Sequence, residues 1–402
     1  MIMTADKQDK VLNVPTLRFP EYSDKWLECE LQDIADISKG AGISKEQLSE
    51  TGESCILYGE LYTKYKSEII SNVISKTDIE NSNLVRSKAN DVIIPSSGET
   101  AIDISTARCV PYDNILLGGD LNIIRLKEQD GRFFSYQLNG VRKLDIAQIA
   151  QGVSVAHLYG ESLKRLKVLY PSKSEQEKIS SLLSVIDERI ETQIRIINEI
   201  QSLISGITQK ISKHSSIRMT MLSELLVERN EKNTALFPVH SVSVSEGVIN
   251  QIDYLGRSFA AADTSHYNVA HKGDIIYTKS PTGEFPFGIV KRNAVETNVA
   301  VSPLYGVYQP ESDDVAIYLH YYFCSPLNAQ NYLHKLIQKG AKNTINITNQ
   351  RFIQNCIPLP DKKTLERFVR LTTAVSTKLK IEKSLLEKLQ NQKRYLLTQM
   401  FI

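Results

Sequence analysis

Hydrophobic and polar positions follow two rhythms along this chain. Two long segments carry apolar residues at alternating steps of four and three, and the remainder carries short apolar bursts cut by Gly, Pro, Ser and Asp. In the first long segment the series is Ile179, Leu183, Ile186, Ile190, Gln193, Ile197, Ile200, Ile204, Ile207 and Ile211, with one polar member. A period of about 3.5 residues held over several heptads predicts a helix with a coiled-coil seam, narrower than the stripe of a surface helix. Adding 189 to each number gives a second series, Phe368, Thr372, Val375, Leu379, Glu382, Leu386, Leu389, Lys393, Leu396 and Met400, with the same spacing and more polar interruptions. The two segments also open alike, on LYPSKSEQEKI at 169–179 and PLPDKKTLERF at 358–368. Ser172 with Glu175 three residues on has capping-box spacing, and Asp361 is a good N-cap. Each helix of about 40 residues would be a rod of about 60 Å, at about 1.5 Å per residue. One such rod would suggest an oligomerisation handle. Two of equal length, each following a globular segment, predict an intramolecular antiparallel pair.

The globular segments repeat more faintly. Residues 88–94 (KANDVII) lead into SSGE and residues 271–277 (HKGDIIY) into KSPTGE, each reading as a short buried strand feeding a Gly-containing loop. FFSYQLN at 133–139 resembles LHYYFCS at 319–325, and IAQGVSVAHL at 149–158 resembles IQKGAKNTINI at 337–347. The order of these phrases is kept while the loop letters change. The predicted organisation is globule 1–171, helix 172–213, globule 214–360 and helix 361–402, with the two similar globules held at opposite ends of the helix pair.

Length and composition agree with two folded units. At 402 residues the chain exceeds one ordinary core, and 42% hydrophobic with 23% charged residues is the make-up of a globular protein. The polar start MIMTADKQDK and the lack of an apolar run near the roughly 18 residues of a membrane span predict a cytoplasmic protein with no membrane partner. Five scattered cysteines, Cys29, Cys55, Cys109, Cys324 and Cys356, suit neither a disulfide framework nor a zinc site and read as buried free thiols. Charge is uneven: residues 361–402 carry net +6 and residues 172–213 net 0, which leaves −4 elsewhere in a chain of net +2. A nucleic-acid surface outside the last helix would therefore rest on local patches.

Catalytic signatures are missing. No Gly precedes a Lys, so there is no Walker loop, and Lys45 occupies the third glycine position after Gly40 and Gly42 of a would-be dinucleotide fingerprint. HExxH, GxSxG and the Asn-Pro-Pro of amino-methylating enzymes are likewise absent, and His266 with His271 lack a third metal ligand at suitable spacing. The loops instead offer small polar, acidic and aromatic groups: YGELYTKY at 58–65, SSGET at 96–100, GGDLN at 118–122, then Lys279, Ser280 and Thr282, and later Lys339, Lys342 and Asn343. Lys and Ser suit guanine edges, Asn suits adenine, and Asp or Glu can accept from the cytosine amino group. The same inventory also suits ordinary surface loops, and His157 could serve contact or fold support.

Several phrases together resemble one family: VPTLRFPEYSDKW (14–26), LQDIADISKG (31–40), CILYGELYTKY (55–65), DVIIPSSGET (91–100), LGGDLNIIRL (117–126), AQGVSVAHLYGESLKRLKV (150–168) and EQEKISSLL (175–183). The chain is similar to the specificity subunit of a type I restriction-modification system, densely in the first half and more sparsely in the second. The resemblance implies an α+β fold in which two α/β target recognition domains, in tandem repeat, are joined by two long helices forming an antiparallel coiled coil. It implies a non-catalytic subunit that binds double-stranded DNA, each domain reading one half of a bipartite asymmetric site, while the helices set the spacer. Partners would be two methyltransferase subunits and restriction/translocase subunits. S-adenosylmethionine, ATP and Mg would sit on those partners and no cofactor on this chain. Candidate DNA-binding residues are Tyr58, Glu60, Tyr62, Thr63, Ser96, Ser97, Glu99, Thr100, Asp120, Gln151, Ser154 and His157 for one half-site, and Lys279, Ser280, Thr282, Lys339, Lys342 and Asn343 for the other. Helix packing would rest on Ile179, Leu183, Ile186, Ile190, Ile197 and Ile204 against Phe368, Val375, Leu379, Leu386, Leu389 and Leu396. The competing reading is a coiled-coil scaffold whose globular domains bind protein rather than DNA.

Overall fold

The structure, a computed structural model, describes residues 13–79, 83–152, 154–213, 217–339 and 345–402. The chain forms two compact units, Met1–Ile194 with Ser384–Ile402, and Arg195–Lys383. The predicted long helices are present at Lys173–Ile211 and Lys362–Gln399. Each unit takes part of both, so the start of the first helix and the end of the second share unit 1.

Unit 1 is built on an antiparallel sheet in the order Ala35–Lys39, Leu121–Leu126, Asp91–Pro95, Arg108–Val110. The apolar run of DVIIP is buried throughout, as expected for a strand covered on both faces. A second, mixed sheet of five short strands lies beside it, with Glu53–Ile56 and Leu116–Leu117 paired in parallel. Helices Gly131–Asn139 and Lys143–Ile149 follow, and strand Lys167–Tyr170 returns to pair with Leu27–Glu30. The aromatic centre of the main core sets Trp26 edge-on to Phe133 at 5.6 Å and Phe133 against Phe401 at 5.1 Å. Ile179 and Leu183 of the first helix, and Met400 just after the second, lie in that core.

Unit 2 repeats the plan. Its antiparallel sheet runs Leu226–Glu228, Gly306–Pro310, Ile275–Tyr277, Val290–Arg292, followed by helices Asp313–Phe323 and Pro326–His334 and a closing strand Cys356–Pro360 paired with Ile217–Met221. Ile207 and Ile211 pack on its core, which contains Leu365 and Phe368. The repeated phrases fall at equivalent places. Asp91 and Asp274, each opening the inner strand, are buried carboxylates clamped by an arginine through two bonds, Arg125 at 2.8 and 2.7 Å in unit 1 and Arg229 at 2.7 and 3.1 Å in unit 2. Arg125 comes from the central strand Leu121–Leu126 and Arg229 from the end of the edge strand Leu226–Glu228. The same buried charge is thus neutralised from a different neighbour.

The predicted seam positions differ in burial between the two helices. Ile179, Leu183, Ile186, Ile197 and Ile204 are buried and Ile190 half-buried, while on the second helix Phe368 is buried and Val375, Leu379, Leu386, Leu389 and Leu396 are half-buried. Three expectations need correction. The helices are not rods apart from the globules, because their outer turns supply core residues to each unit. Glu175 does not form a capping box: its carboxylate is bound by Arg18 through two bonds at 2.7 and 2.8 Å, a charge-assisted pair stronger than one bond to a backbone amide. Asp361 does cap, accepting from the Thr364 amide at 3.0 Å. The cysteines are not uniformly buried either, since Cys29, Cys324 and Cys356 are partly exposed.

Candidate nucleic-acid interface

In unit 1 the loop after strand Glu53–Ile56 turns into the one-turn helix Glu60–Thr63. Glu60 is buried, and its carboxylate accepts from the Leu57 amide at 3.0 Å, from Lys64 Nζ at 2.6 Å and from the Ser75 hydroxyl. A buried carboxylate so engaged holds the turn. What the turn displays is Tyr58 and Tyr62, both half-buried, with Thr63 exposed. Tyr65, by contrast, is buried, accepts from the Ile74 amide, and burial pushes its hydroxyl up to about 12.

Tyr62 faces the second loop. A Cβ at Gly98 would lie 3.6 Å from its hydroxyl oxygen and 2.6 Å from Ile104 Cγ2, so this close approach requires glycine. Burial raises the Tyr62 pKa, and Tyr58, Asp103 and Glu99 add to the shift, keeping the hydroxyl a donor. Strand Ser97–Gly98 pairs with Ala156–His157, placing Ser97 opposite His157, and His157 in turn exchanges backbone bonds of 2.9 and 2.7 Å with Gln151. Gln151, Ser154 and His157 are exposed, and the His157 ring stacks beside Tyr159 at 6.2 Å. Tyr62, Ser97, Glu99, Gln151 and His157 are therefore gathered on one rim. Ser96 is buried at its foot, and Thr100 caps the helix Ala101–Ile104 by accepting from the Asp103 amide at 3.1 Å and donating to its carboxylate at 2.6 Å. Both thus support the rim from its foot and its flank.

Beside this rim is a cavity of about 860 Å³, lined by Ser44, Lys45, Tyr58, Thr63, Lys64 and Asp120 among others. Asp120 is exposed at φ 58°, and its backbone oxygen accepts from the Ser96 amide at 2.7 Å, which joins the cavity wall to the rim. Lys45, which spoils the dinucleotide fingerprint in the sequence, supplies a cation here. Tyr159, Lys45 and the exposed Val155 were not among the sequence candidates; a position directly after the repeated phrase IAQGVSVAHL was the available signal for Tyr159.

Unit 2 presents a different set. Lys279, half-buried just past strand Ile275–Tyr277, has its pKa lowered by burial, against which Glu228 acts. Ser280 and Thr282 are exposed on a turn closed by backbone bonds between Thr282 and Phe285 at 3.1 and 2.9 Å. Lys339 lies on the short strand Gln338–Lys339, paired with Ile345–Asn346, whereas Lys342 and Asn343 lie outside the described residues. The sequence reading passed over the helix Gln251–Leu255 and the turn after it, where Ile252, Tyr254, Leu255 and Phe259 are exposed and Arg257 lies 4.5 Å over the Phe259 ring. Among the described residues no helix is long and apolar enough to cross a membrane, and no group of three or more His, Cys, Asp or Glu is placed to hold a metal.

Residues 23–202 match the family model described as the type I restriction modification DNA specificity domain. That stretch of the chain is similar to the specificity domain of type I restriction-modification systems. That span includes every candidate of the first rim and cavity. Over its whole length the chain is similar in fold to the crystal structure of a type I restriction-modification system S subunit from M. genitalium, with 16% identity, a TM-score of 0.64, and coverage of 97% of this chain and 99% of that one. A second solved chain, from work on complex assembly and conformational transition of the type I R-M system, matches with 12% identity and a TM-score of 0.52, covering 92% and 96%. The likeness in fold thus spans both units, the second repeating the sheet and helices of the first.

Proposed function

We propose that this chain is the sequence-reading subunit of a type I restriction-modification complex, each unit reading one half of a bipartite, asymmetric DNA site. The observation that carries this reading is the repetition of one scaffold with two unrelated loop sets. A shared strand order, helix pair and buried Arg–Asp clamp support a rim of Tyr62, Ser97, Glu99, Gln151 and His157 in unit 1, and Lys279, Ser280 and Thr282 in unit 2. Phosphate contacts position a protein on DNA while base edges specify the sequence, so a common frame with divergent tips suits two different half-sites. The acidic and tyrosine-rich first rim suits cytosine amino groups and the lysines of the second suit guanine. The long helices connect the units and dock two methyltransferase subunits, which with the restriction subunits hold S-adenosylmethionine, ATP and Mg; this chain's own residues bind and orient DNA and carry no chemical step.

Co-expression with a methyltransferase subunit, followed by genome-wide mapping of methylated adenines, tests the reading. A two-part motif with a fixed gap is expected. Methylation that ignores this chain, or DNA affinity that does not fall with rising salt, would leave a protein-binding scaffold as the better account.

A further inference from the structure

Outside the recognition rims, unit 2 contains a charged cluster that DNA reading does not use. Lys291, on strand Val290–Arg292, is only 4% exposed, and a buried ammonium needs an anion. Among the described residues none of its partners is a carboxylate. Its neighbour Arg292 occupies Asp313 instead, and Lys291 Nζ donates to Cys324 Sγ at 3.3 Å. On the other side of the sulfur is His320 Nε2, at 3.9 Å, one helical turn earlier on Asp313–Phe323. His320 Nδ1 accepts from the Arg292 amide at 3.3 Å, which places the imidazole proton on Nε2, toward the sulfur. Tyr321, the remaining titratable neighbour, is bonded to Ser376 on the second long helix.

We propose that Cys324 is held as a thiolate by Lys291 and His320 and is the chain's site of modification by peroxides and other small electrophiles. Burial alone would raise its pKa, but His320 and Lys291 outweigh it and hold the thiol down to about 6. Three other thiols differ: burial pushes Cys55 up to about 11 and Cys109 up to about 12, and raises Cys29 as well. Cys324 is also partly exposed, at the joint where its helix ends and Ser325 caps the helix Pro326–His334. With hydrogen peroxide the thiolate sulfur attacks one oxygen, the O–O bond breaks, an S–OH bond forms and hydroxide leaves, so sulfur is oxidised by two electrons and peroxide is reduced. The product is neutral, and Lys291 loses its counter-charge at that joint.

Iodoacetamide alkylation of the full chain, followed site by site through mass spectrometry of its peptides, tests this through a ratio that does not depend on access. Raising the pH from 7 to 9 multiplies the thiolate fraction of an ordinary thiol of pKa about 8.5 roughly 25-fold, but that of a thiol of pKa about 6 only about 1.1-fold. The expected rate ratio at Cys324 is below about two, and peroxide at pH 7 with a sulfenic-acid trap should label Cys324. In Lys291→Met and His320→Gln the ratio should climb toward the ordinary value. A ratio above about ten in the unmodified chain, no reaction at Cys324 at all, or no peroxide label there would overturn the proposal. So would a low ratio that both variants leave unchanged. If either variant fails to fold, the native ratio still decides.

Discussion

Two glutamates of neighbouring loops separate scaffold from reader. Glu60 accepts from a backbone amide, a lysine and a serine hydroxyl inside the turn, whereas Glu99 stands exposed on the rim beside Tyr62. Glu60→Ala leaves the Leu57 amide and the Ser75 hydroxyl short of a partner, at a cost of about 1–3 kcal/mol. A lowered melting midpoint in calorimetry is therefore expected, with loss of methylation only in proportion to lost folded protein. Glu99→Gln keeps the shape and removes an acceptor with no structural bond to lose, so stability should change by less than about 0.5 kcal/mol. Its methylation map should change in one half of the motif only, toward bases that do not present an amino donor; an unchanged map would make Glu99 a bystander. Loop exchange should likewise be confined to Ser97 and Glu99, because Ser96 and Thr100 hold the frame.

At the scale of elements, the polar interruptions of the second seam prove informative. Lys393 falls on a predicted seam position and is 14% exposed in unit 1, where its ammonium meets Glu68 and, at 2.6 Å, Asp187 of the first helix; Tyr136 donates to the same Asp187 at 2.6 Å. Lys393→Met would bury two carboxylates without their cation and cost about 3–5 kcal/mol. Burial lowers the Lys393 pKa, but Glu68 and Asp187 more than offset this and leave it raised. A raised lysine pKa stabilises the fold fully below its unfolded value of about 10.4, and that stabilisation is lost as pH climbs through the folded value. Denaturant midpoints should consequently fall above about pH 10.5 in the native chain and show a smaller alkaline fall in Lys393→Met. The spacing alone located Lys393 on the seam, as it did Gln193 and Glu382, because a 3.5 period specifies a face. It could not supply Glu68, which lies 325 residues away. The same limit explains the site. Short strands such as DVIIP were legible from their apolar run, yet Ser96 and Ser97 are adjacent letters whose opposite burial is set by the pairing of Ser97 with His157. Tyr254 and Phe259 show the same limit from the other side, since an aromatic letter carries no mark of whether anything covers it.

For the whole molecule, the connection between reading units is a length, and lengths can be changed. The helices Lys173–Ile211 and Lys362–Gln399 pass from one compact unit to the other between Ile194 and Arg195 and between Lys383 and Ser384. Inserting one heptad at each of these points keeps every seam residue in register with its own unit, because the period is 3.5 residues. Seven residues add about 10.5 Å at about 1.5 Å per residue, close to three base pairs at about 3.4 Å each. The doubly extended chain should therefore methylate the same two half-sites across a gap about three base pairs longer, with both halves of the motif unchanged. Insertion in one helix alone slips the seam by a heptad against its partner and pulls Lys393 away from Glu68 or Asp187, so folding should suffer before specificity does. A paired insertion that leaves the gap as it was would show that the helices do not set it, and altered bases with an unchanged gap would move recognition out of the loops and into the helices.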